Sequence, residues 1–510
     1  MKAFLTDAPI GRRLFWPLCF AICIVGFALR LPTLSSRSLW LDEAYSAWFC
    51  ALPLYELWTS VPLYETHPPM YYSLLKGWSS LFGNSEAALR SMSVLASVAN
   101  ILLVAISGRA LRCGQVGDRV GLLAALFLAM NRGSIEYAQQ ARPYAIETLA
   151  ASATILFSLI VLRRLASTVS SDYCLPRLWP SVFGLGSCAG AMLWLHNTAI
   201  FIAFGIWAGL AVSLVVMVRG PRIRQALTVF TAGGLALLIW APFVPMLLRA
   251  ISSMSKLSFW ITMGAKDLVS AWYLATGGAL PMLPVLILCF LGLVVLWRVA
   301  RAETLHLCIV LILPLACVLG YSYLAKPIYI SRLFGWLAPP LMTLAAIGVW
   351  SGIRHTKKRN FVILMTITLL LVSTGIFYTN PTEDWRGLIG TVAAQAKPGD
   401  AVIVYPNELT VVMHYYVPRQ STFPDIYYIP AKFPALGRDT KYISNLGAPA
   451  IQPIDRLQVR AIKSSHRRIW LIHRFSGLYD TNNIIHKELV DQLTLTSTLK
   501  KESAQIELYE

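Results

Sequence analysis

The stretch Leu39–Phe82, reading LWLDEAYSAWFCALPLYELWTSVPLYETHPPMYYSLLKGWSSLF, separates two long apolar runs and decides how the chain is read. It sets two adjacent carboxylates, Asp42 and Glu43, and then His67-Pro68-Pro69, among aromatic residues that suit a membrane surface. Asp42 stands at a helix N-cap position ahead of EAYSAWF, and Pro69 fits the first turn of MYYSLLKGWSSLF. In that second segment Tyr71, Leu74, Leu75, Trp78 and Phe82 recur at helical spacing. Both segments are too short or too polar to span and are expected to lie flat at the interface.

Adjacent residues on a helix point about 100° apart, so Asp42 and Glu43 are not expected to share one task. A helix N-terminus favours the ionised form of Asp42, which suits a general base. The plainer alternative is that Asp42 only caps the helix and Glu43 is solvated. His67, held extended by the prolines, can donate to a phosphate, or be an interfacial histidine without a partner. A divalent metal held by Asp42, Glu43 and His67 is a third arrangement that the residue types allow.

Working outward, the 510 residues are 56% hydrophobic and 14% charged, with a mean hydropathy of +0.59, which excludes an ordinary soluble globule. A bilayer core about 30 Å thick takes roughly 20 apolar residues per helix. Such windows fall near 14–34, 87–108, 120–132, 143–162, 180–195, 199–218, 226–248, 280–297, 305–324, 333–352 and 360–379. The fold class expected is an α-helical polytopic membrane protein with these eleven spans and a small C-terminal α/β soluble domain. Residues 1–380 form the membrane domain, with a first outer loop at 35–86, and residues 381–510 the soluble one. The run from Leu14, preceded by Lys2, Arg12 and Arg13, imitates a signal peptide but lacks a small-residue cleavage site, so it is read as an uncleaved span.

The net charge of +19 does not point to nucleic acid, because residues 381–510 hold 15 Lys/Arg against 13 Asp/Glu. The excess lies in alternate short loops: Arg109, Arg112 and Arg119; Arg163 and Arg164; Arg219, Arg222 and Arg224; Arg298 and Arg301; and Arg354 to Arg359. By the positive-inside rule these loops and the N-terminus are cytoplasmic, which puts the Asp42 loop and the terminal domain in the periplasm or its equivalent. The short 120–132 window is kept because this charge pattern requires it. The nine cysteines show neither metal-ligand spacing nor a disulfide framework.

Three further clusters fall on the outer side. Glu136-Tyr137-Ala138-Gln139-Gln140-Ala141-Arg142-Pro143-Tyr144 leads into the fourth span, with Glu147 a turn inside. Ionisable groups at that depth face a cavity or a partner. Glu136, Arg142 and Glu147 are therefore candidates for polar ligands, unless Arg142 and Glu147 merely brace the loop as an ion pair. His196-Asn197 occupies the tight turn between the fifth and sixth spans. Lys326, Tyr329 and Arg332 gather before the tenth, where their cations call for an anionic partner or lipid headgroups. After Pro381, a helix from Glu383 to Ala396, a strand at Ala401–Tyr405, a helix at Glu408–Tyr416 and strands at Ile469–His473 and Ile506–Tyr509 read as an α/β domain with a parallel core.

Together LWLDEAYS, THPPMYYSLLKGW, YAQQARPYA and IYISRLFGWLAPP resemble the motifs of polytopic glycosyltransferases with the C-type fold. The likeness is to bacterial relatives of protein O-mannosyltransferases and lipid A aminoarabinose transferases. EDWRGLI and KPGDAVIVYP are similar to the soluble domain that many of these carry. The resemblance implies a polyprenyl-phosphate sugar as donor, with a lipid, glycan or protein acceptor, among membrane lipids at the outer face of a bacterial inner membrane. It implies Asp42 as the base, with Glu43 positioning, and His67 and Arg332 at the donor phosphate; to these the reading of the residues themselves adds Arg142 and Lys326 at the phosphate, and Glu136, Glu147, Tyr45, Tyr329, His196 and Asn197 at sugar or acceptor. Gln140 replaces the acid that commonly precedes Ala-Arg, and Leu333 the tyrosine that commonly follows the tenth-span arginine, so no metal is assigned. A polyprenyl-diphosphate-dependent glycan ligase or polymerase would favour larger arginine-rich outer loops. A flippase for lipid-linked sugars would show inverted repeats and midplane charges.

Overall fold

The structure is a computed structural model and describes residues 12–111, 114–166, 178–254, 263–264, 266–420, 422–438 and 447–510. Lys2, Arg112, Cys113 and Cys174 lie outside the described residues, and the other seven cysteines are free thiols. The chain divides into two compact units. The first comprises residues 1–32, 90–244 and 261–379; the second unites residues 33–89 and 245–260 with 380–510.

In the first unit every expected apolar window carries a helix. They are Arg12–Ala28, Glu86–Ala110 (which starts in the second unit), Gly114–Ala129, Tyr144–Ala166, Trp179–Leu193, Ala199–Met217, Arg222–Trp240, Ala279–Val299, Arg301–Leu324, Ala338–Gly352 and Thr356–Thr379. Among the described residues eight helical segments are long and apolar enough to cross a bilayer, which makes this a multi-pass membrane protein. The helices at 12–28, 114–129 and 179–193 are shorter than that.

Close packing rests on small residues, as it must where lipid removes the usual hydrophobic drive between helices. A Cβ on Gly292 would overlap the carbonyl of Leu344, and one on Gly348 that of Leu288, so Ala279–Val299 and Ala338–Gly352 meet backbone to backbone. Just past the first helix the fully buried Arg30 satisfies its guanidinium inside the unit. Nε donates to Ser97 Oγ (2.9 Å), Nη1 to Gly26 O (2.8 Å) and Ala129 O (3.1 Å), and Nη2 to Ser134 Oγ (2.8 Å).

The second unit contains a five-stranded mixed sheet: β1 (Ala401–Tyr405), β2 (Asp425–Tyr428), β3 (Ile469–Arg474), β4 (Leu495–Lys501) and β5 (Ala504–Tyr509), in the order β2-β1-β3-β5-β4. β1 runs parallel to β2 and β3, and β5 antiparallel to β3 and β4, so the parallel core extends to three strands. All five residues of β1 are buried, which explains its unbroken apolar run. Ala401, Ile403 and Tyr405 join a core with Val459, Ile462, Ile485 and Leu489. The edge strand β4 is wholly exposed and ends in Lys500 and Lys501, a charged margin that discourages further pairing.

The first extramembrane stretch is bonded into this unit. Ser38 Oγ donates to Glu383 O (2.7 Å) and accepts from Trp385 N (3.0 Å), and Leu39 N donates to Tyr416 OH (2.7 Å). Arg386 pairs with Glu86 (2.9 Å), and Tyr415 OH donates to Asn84 O (2.6 Å).

Gly348→Val is expected to destabilise the protein by about 2 kcal/mol, the usual cost of overpacking a close contact. A lowered midpoint in thermal unfolding of the detergent-purified chain checks this, with Gly375→Ala, whose added Cβ meets nothing within 4 Å, as the control.

Candidate active site

The Asp42 helix runs Leu41–Ala51, with Trp40 as its N-cap. It therefore begins before the expected cap: Asp42 is in the first turn, and the capping group is the Glu43 carboxylate, which accepts from Trp40 N (3.4 Å). Glu43 is fully buried rather than solvated. The register shift has a cause in the fold, since Leu41 N is itself taken by the Glu383 carboxylate (Oε2, 3.4 Å).

Glu383 gathers the site in the second unit. It also accepts from Arg474 Nε (2.6 Å), Trp385 Nε1 (2.9 Å) and Ser503 Oγ. Arg474 ends β3, whose expected span stopped one residue short of it. Burial opposes the Arg474 charge, but Glu383, Glu408 and Asp42 outweigh it and raise its pKa. At the end of β1, Glu408 is buried and accepts from Tyr479 OH (3.2 Å). Burial pushes the Glu408 carboxyl up to about 7; Arg474 and Tyr479 pull against this, and Asp42 and Glu383 add to it.

Tyr45 lies three residues after Asp42, on the same helix face. Its hydroxyl is buried without a hydrogen-bond partner, and burial raises its pKa, with Glu408, Tyr479, Glu65 and Asp42 adding to the effect. Its ring packs edge-on against Phe433 (5.4 Å). His67 has a partner after all: its Nδ1 lies 2.6 Å from Glu65 Oε1, which also accepts from the amides of Thr66 and His67 (2.8 Å each). Among the described residues no three or more His, Cys, Asp or Glu stand together as a metal site, so Asp42, Glu43 and His67 do not form one.

The first unit gathers the other candidates. Asn131 caps the short helix Arg132–Ala138, accepting from Ser134 N. Glu136 there pairs with Arg132 (3.7 Å), whose Nη1 donates to Tyr273 OH (2.7 Å). The Tyr137 hydroxyl is buried without a hydrogen-bond partner. Burial raises its pKa, Glu136, Tyr144 and Tyr329 add to this, and Arg332 lowers it, which brings these residues into one cluster. The Tyr137 and Tyr144 rings are 5.6 Å apart, and Tyr144 lies 6.3 Å from His196. Arg142 is buried with its guanidinium 5.9 Å from the Tyr144 ring.

Arg332 sits in the 3-10 segment Ser331–Leu337, where a Cβ on Gly335 would press on the Tyr137 ring at 3.0 Å. Tyr329 OH accepts from Ala271 N (3.3 Å) and lies 3.3 Å from Ser270 Oγ. His196 is held by Thr198 (Nδ1 to Oγ1, 2.8 Å), and Asn197 is half-buried beside it. Lys326 is half-buried beyond the helix Arg301–Leu324, its amide donating to Tyr321 O (3.1 Å). Glu147 is buried and forms no ion pair among the described residues, so the expected brace with Arg142 is not made; its Oε1 has no hydrogen-bond partner. Gln139 donates to the carbonyls of Arg30 (3.1 Å) and Pro32, which makes it part of the scaffold.

A separate apolar cavity of about 720 Å³ in this unit is lined by Leu103, Leu159, Arg163, Arg298 and Glu303, among others, and by none of the candidates above. Arg163 lies in the last turn of the helix that carries Glu147 in its first, about 24 Å away at 1.5 Å per residue.

Reasoning from sequence missed Glu383, Glu408, Arg474, Tyr479, Glu65 and Tyr137 as site residues. Only Glu383 and Tyr137 carried a signal, standing inside the EDWRGLI and YAQQARPYA motifs.

The fold is the C-type glycosyltransferase fold. The structure is similar to ArnT from Cupriavidus metallidurans in the apo state, with a TM-score of 0.60 and 12% identity over 97% of both chains. It resembles the same protein bound to undecaprenyl phosphate at a TM-score of 0.58, again 12% identical over 97% of both. It is also similar to the oligosaccharyltransferase AglB from Archaeoglobus fulgidus in complex with an inhibitory peptide and a dolichol-phosphate, with a TM-score of 0.57 and 11% identity over 97% of this chain and 74% of that one. No family model matches the sequence, and no curated protein matches it.

Arg474→Met would leave Glu383 charged and buried, and is expected to cost about 3–5 kcal/mol. The double variant Glu383→Gln/Arg474→Met should recover most of that loss. Thermal unfolding of wild type and both variants, side by side, reads the difference.

Proposed function

We propose that the protein transfers a single sugar, with inversion, from a polyprenyl-phosphate carrier to an acceptor hydroxyl at the periplasmic face of a bacterial inner membrane. The observation that carries this reading is Asp42 itself: an acid in the first turn of a helix, beside a buried Glu43 already used as a cap. Of the two adjacent carboxylates, Asp42 is the one assigned to chemistry. Support comes from the fold, whose likenesses include structures bound to undecaprenyl phosphate and to dolichol-phosphate.

A sugar on polyprenyl phosphate already carries a good leaving group, so no general acid is needed. The acceptor O–H bond breaks, its proton passes to Asp42, and the acceptor oxygen attacks the anomeric carbon. The bond from that carbon to the phosphate oxygen breaks, and its electron pair leaves with polyprenyl phosphate. Arg332, with Arg142, Lys326 and His67, supplies the cations and donors that stabilise the charge developing on phosphate. Glu136, Glu147, Tyr329, His196 and Asn197 orient the sugar, joined by Tyr137 from the same cluster. The apolar helices take the lipid tail, which explains why sugar chemistry occurs in so hydrophobic a chain.

Asp42→Asn is expected to lower transfer of radiolabelled sugar from polyprenyl-phosphate donors to membrane extracts by about 10²–10⁴-fold, the range for a lost general base, while undecaprenyl phosphate still binds. Arg332→Gln should raise the donor KM and weaken that binding. Equal transfer by Asp42→Asn and wild type would remove Asp42 from the reaction.

A further inference from the structure

Protein interiors are close-packed and hold few voids larger than a water molecule, yet the first unit contains the apolar cavity of about 720 Å³. Its lining comes from six helices, Glu86–Ala110, Gly114–Ala129, Tyr144–Ala166, Ala279–Val299, Arg301–Leu324 and Ala338–Gly352. Along the last of these it reaches from Pro339 in the first turn to Ser351 in the last. That interval is about 18 Å at 1.5 Å per residue, close to one leaflet, which is half of a hydrocarbon core about 30 Å thick.

The two ends of the cavity differ. Its shaft is walled by Ile155, Leu159, Leu307 and Leu344, all buried and apolar, and gives a column of water too few polar partners. Gly352 faces Val295, which sets Arg298 at the Ser351 end. Arg298 and Val299 are exposed, so the cavity opens there. The charged residues of the lining are Arg163, Arg298 and Glu303; Glu303 pairs with Arg163 (3.6 Å), which leaves Arg298 as the cation in excess. Ala300 lines the same end and precedes the helix Arg301–Leu324, whose first-turn amides are capped by no side chain. Amides of that kind favour an anion, and so does the arginine beside them.

We propose that this cavity is a site for an anionic phospholipid: one acyl chain fills the apolar shaft, and the headgroup phosphate meets Arg298 and the first amides of Arg301–Leu324. The length of the shaft selects the class, since it matches a chain of one leaflet, whereas a polyprenyl tail is longer than a leaflet. The lipid enters from the side of the arginine-rich loops, the face opposite the one proposed for transfer. This site is distinct from the Arg332 cluster, and the proposal does not depend on the transferase reading.

The test uses the full-length chain, purified in detergent and stripped of lipid, as wild type, Arg298→Gln and Thr343→Phe. Arg298 is exposed, so its replacement leaves folding intact; Thr343 lines the shaft, and a ring there occupies the space of the chain. The probes are phosphatidylglycerol with a photoreactive diazirine on its acyl chain, phosphatidylcholine with the same chains, inorganic phosphate and undecaprenyl phosphate. Native mass spectrometry counts bound lipid, and crosslinked peptides locate it. Wild type should hold phosphatidylglycerol about tenfold more tightly than phosphatidylcholine, the effect of one charge-assisted hydrogen bond. Crosslinks should fall within residues 152–163 and 339–351. Arg298→Gln should bring the two lipids within about twofold of each other, and Thr343→Phe should lose the crosslinks, with undecaprenyl phosphate bound as in wild type by both. Equal affinity for the two lipids in wild type, a wild-type preference in Arg298→Gln, or undiminished crosslinks in Thr343→Phe would overturn the proposal. Displacement of phosphatidylglycerol by inorganic phosphate or by undecaprenyl phosphate would overturn it too, by assigning the site to a free anion or to the carrier lipid.

Discussion

Glu383 is a buried carboxylate that takes hydrogen bonds from Leu41 N, Trp385 Nε1, Ser503 Oγ and Arg474 Nε. A charge so far from water is tolerable only when paired and fully bonded, and four donors from four separate parts of the sequence meet that demand. Because one donor is the first amide of the Asp42 helix and another ends β3, the carboxylate sets the position of that helix against the sheet. Glu43 then completes the helix start from within, with Asp42 beside it in the first turn. The terminal segment thus fixes where the Asp42 helix begins.

The first unit solves a different problem. Its helices must bury polar groups in an apolar surround, and each such group costs free energy unless it is bonded. Arg30, Asn131 and Gln139 meet that demand through backbone carbonyls and hydroxyls and belong to the scaffold. Glu147 Oε1 and the Tyr137 hydroxyl do not; they lie on the two helices that flank the turn carrying Arg142, and Arg332 acts on Tyr137. Unmet hydrogen-bonding capacity on buried groups calls for an explanation beyond the scaffold.

Much of this was legible in the sequence because its signals are local. Apolar windows locate helices by length alone, and AVIVY announces a strand buried on both faces. β2 and β4 escaped because one is four residues long and half-exposed and the other is a polar edge. The expected N-cap at Asp42 was displaced by tertiary bonding, since no local pattern shows that Glu383 will claim the amide of Leu41, 342 residues away. Glu408 was invisible for the same reason: NELT reads as an ordinary helix start, and only the fold sets it beside Tyr45 and Asp42.

The measurement that bears most directly on the central claim is an electron cryomicroscopy structure of the full chain in nanodiscs with undecaprenyl phosphate. Phosphate density within hydrogen-bonding distance of Arg332, with the tail running along the apolar helices, is the expected result. Phosphate instead held by Arg163 and Arg298 in the 720 Å³ cavity, with Arg332 untouched, would contradict the reading of this chain as a transferase that draws on a lipid-phosphate sugar.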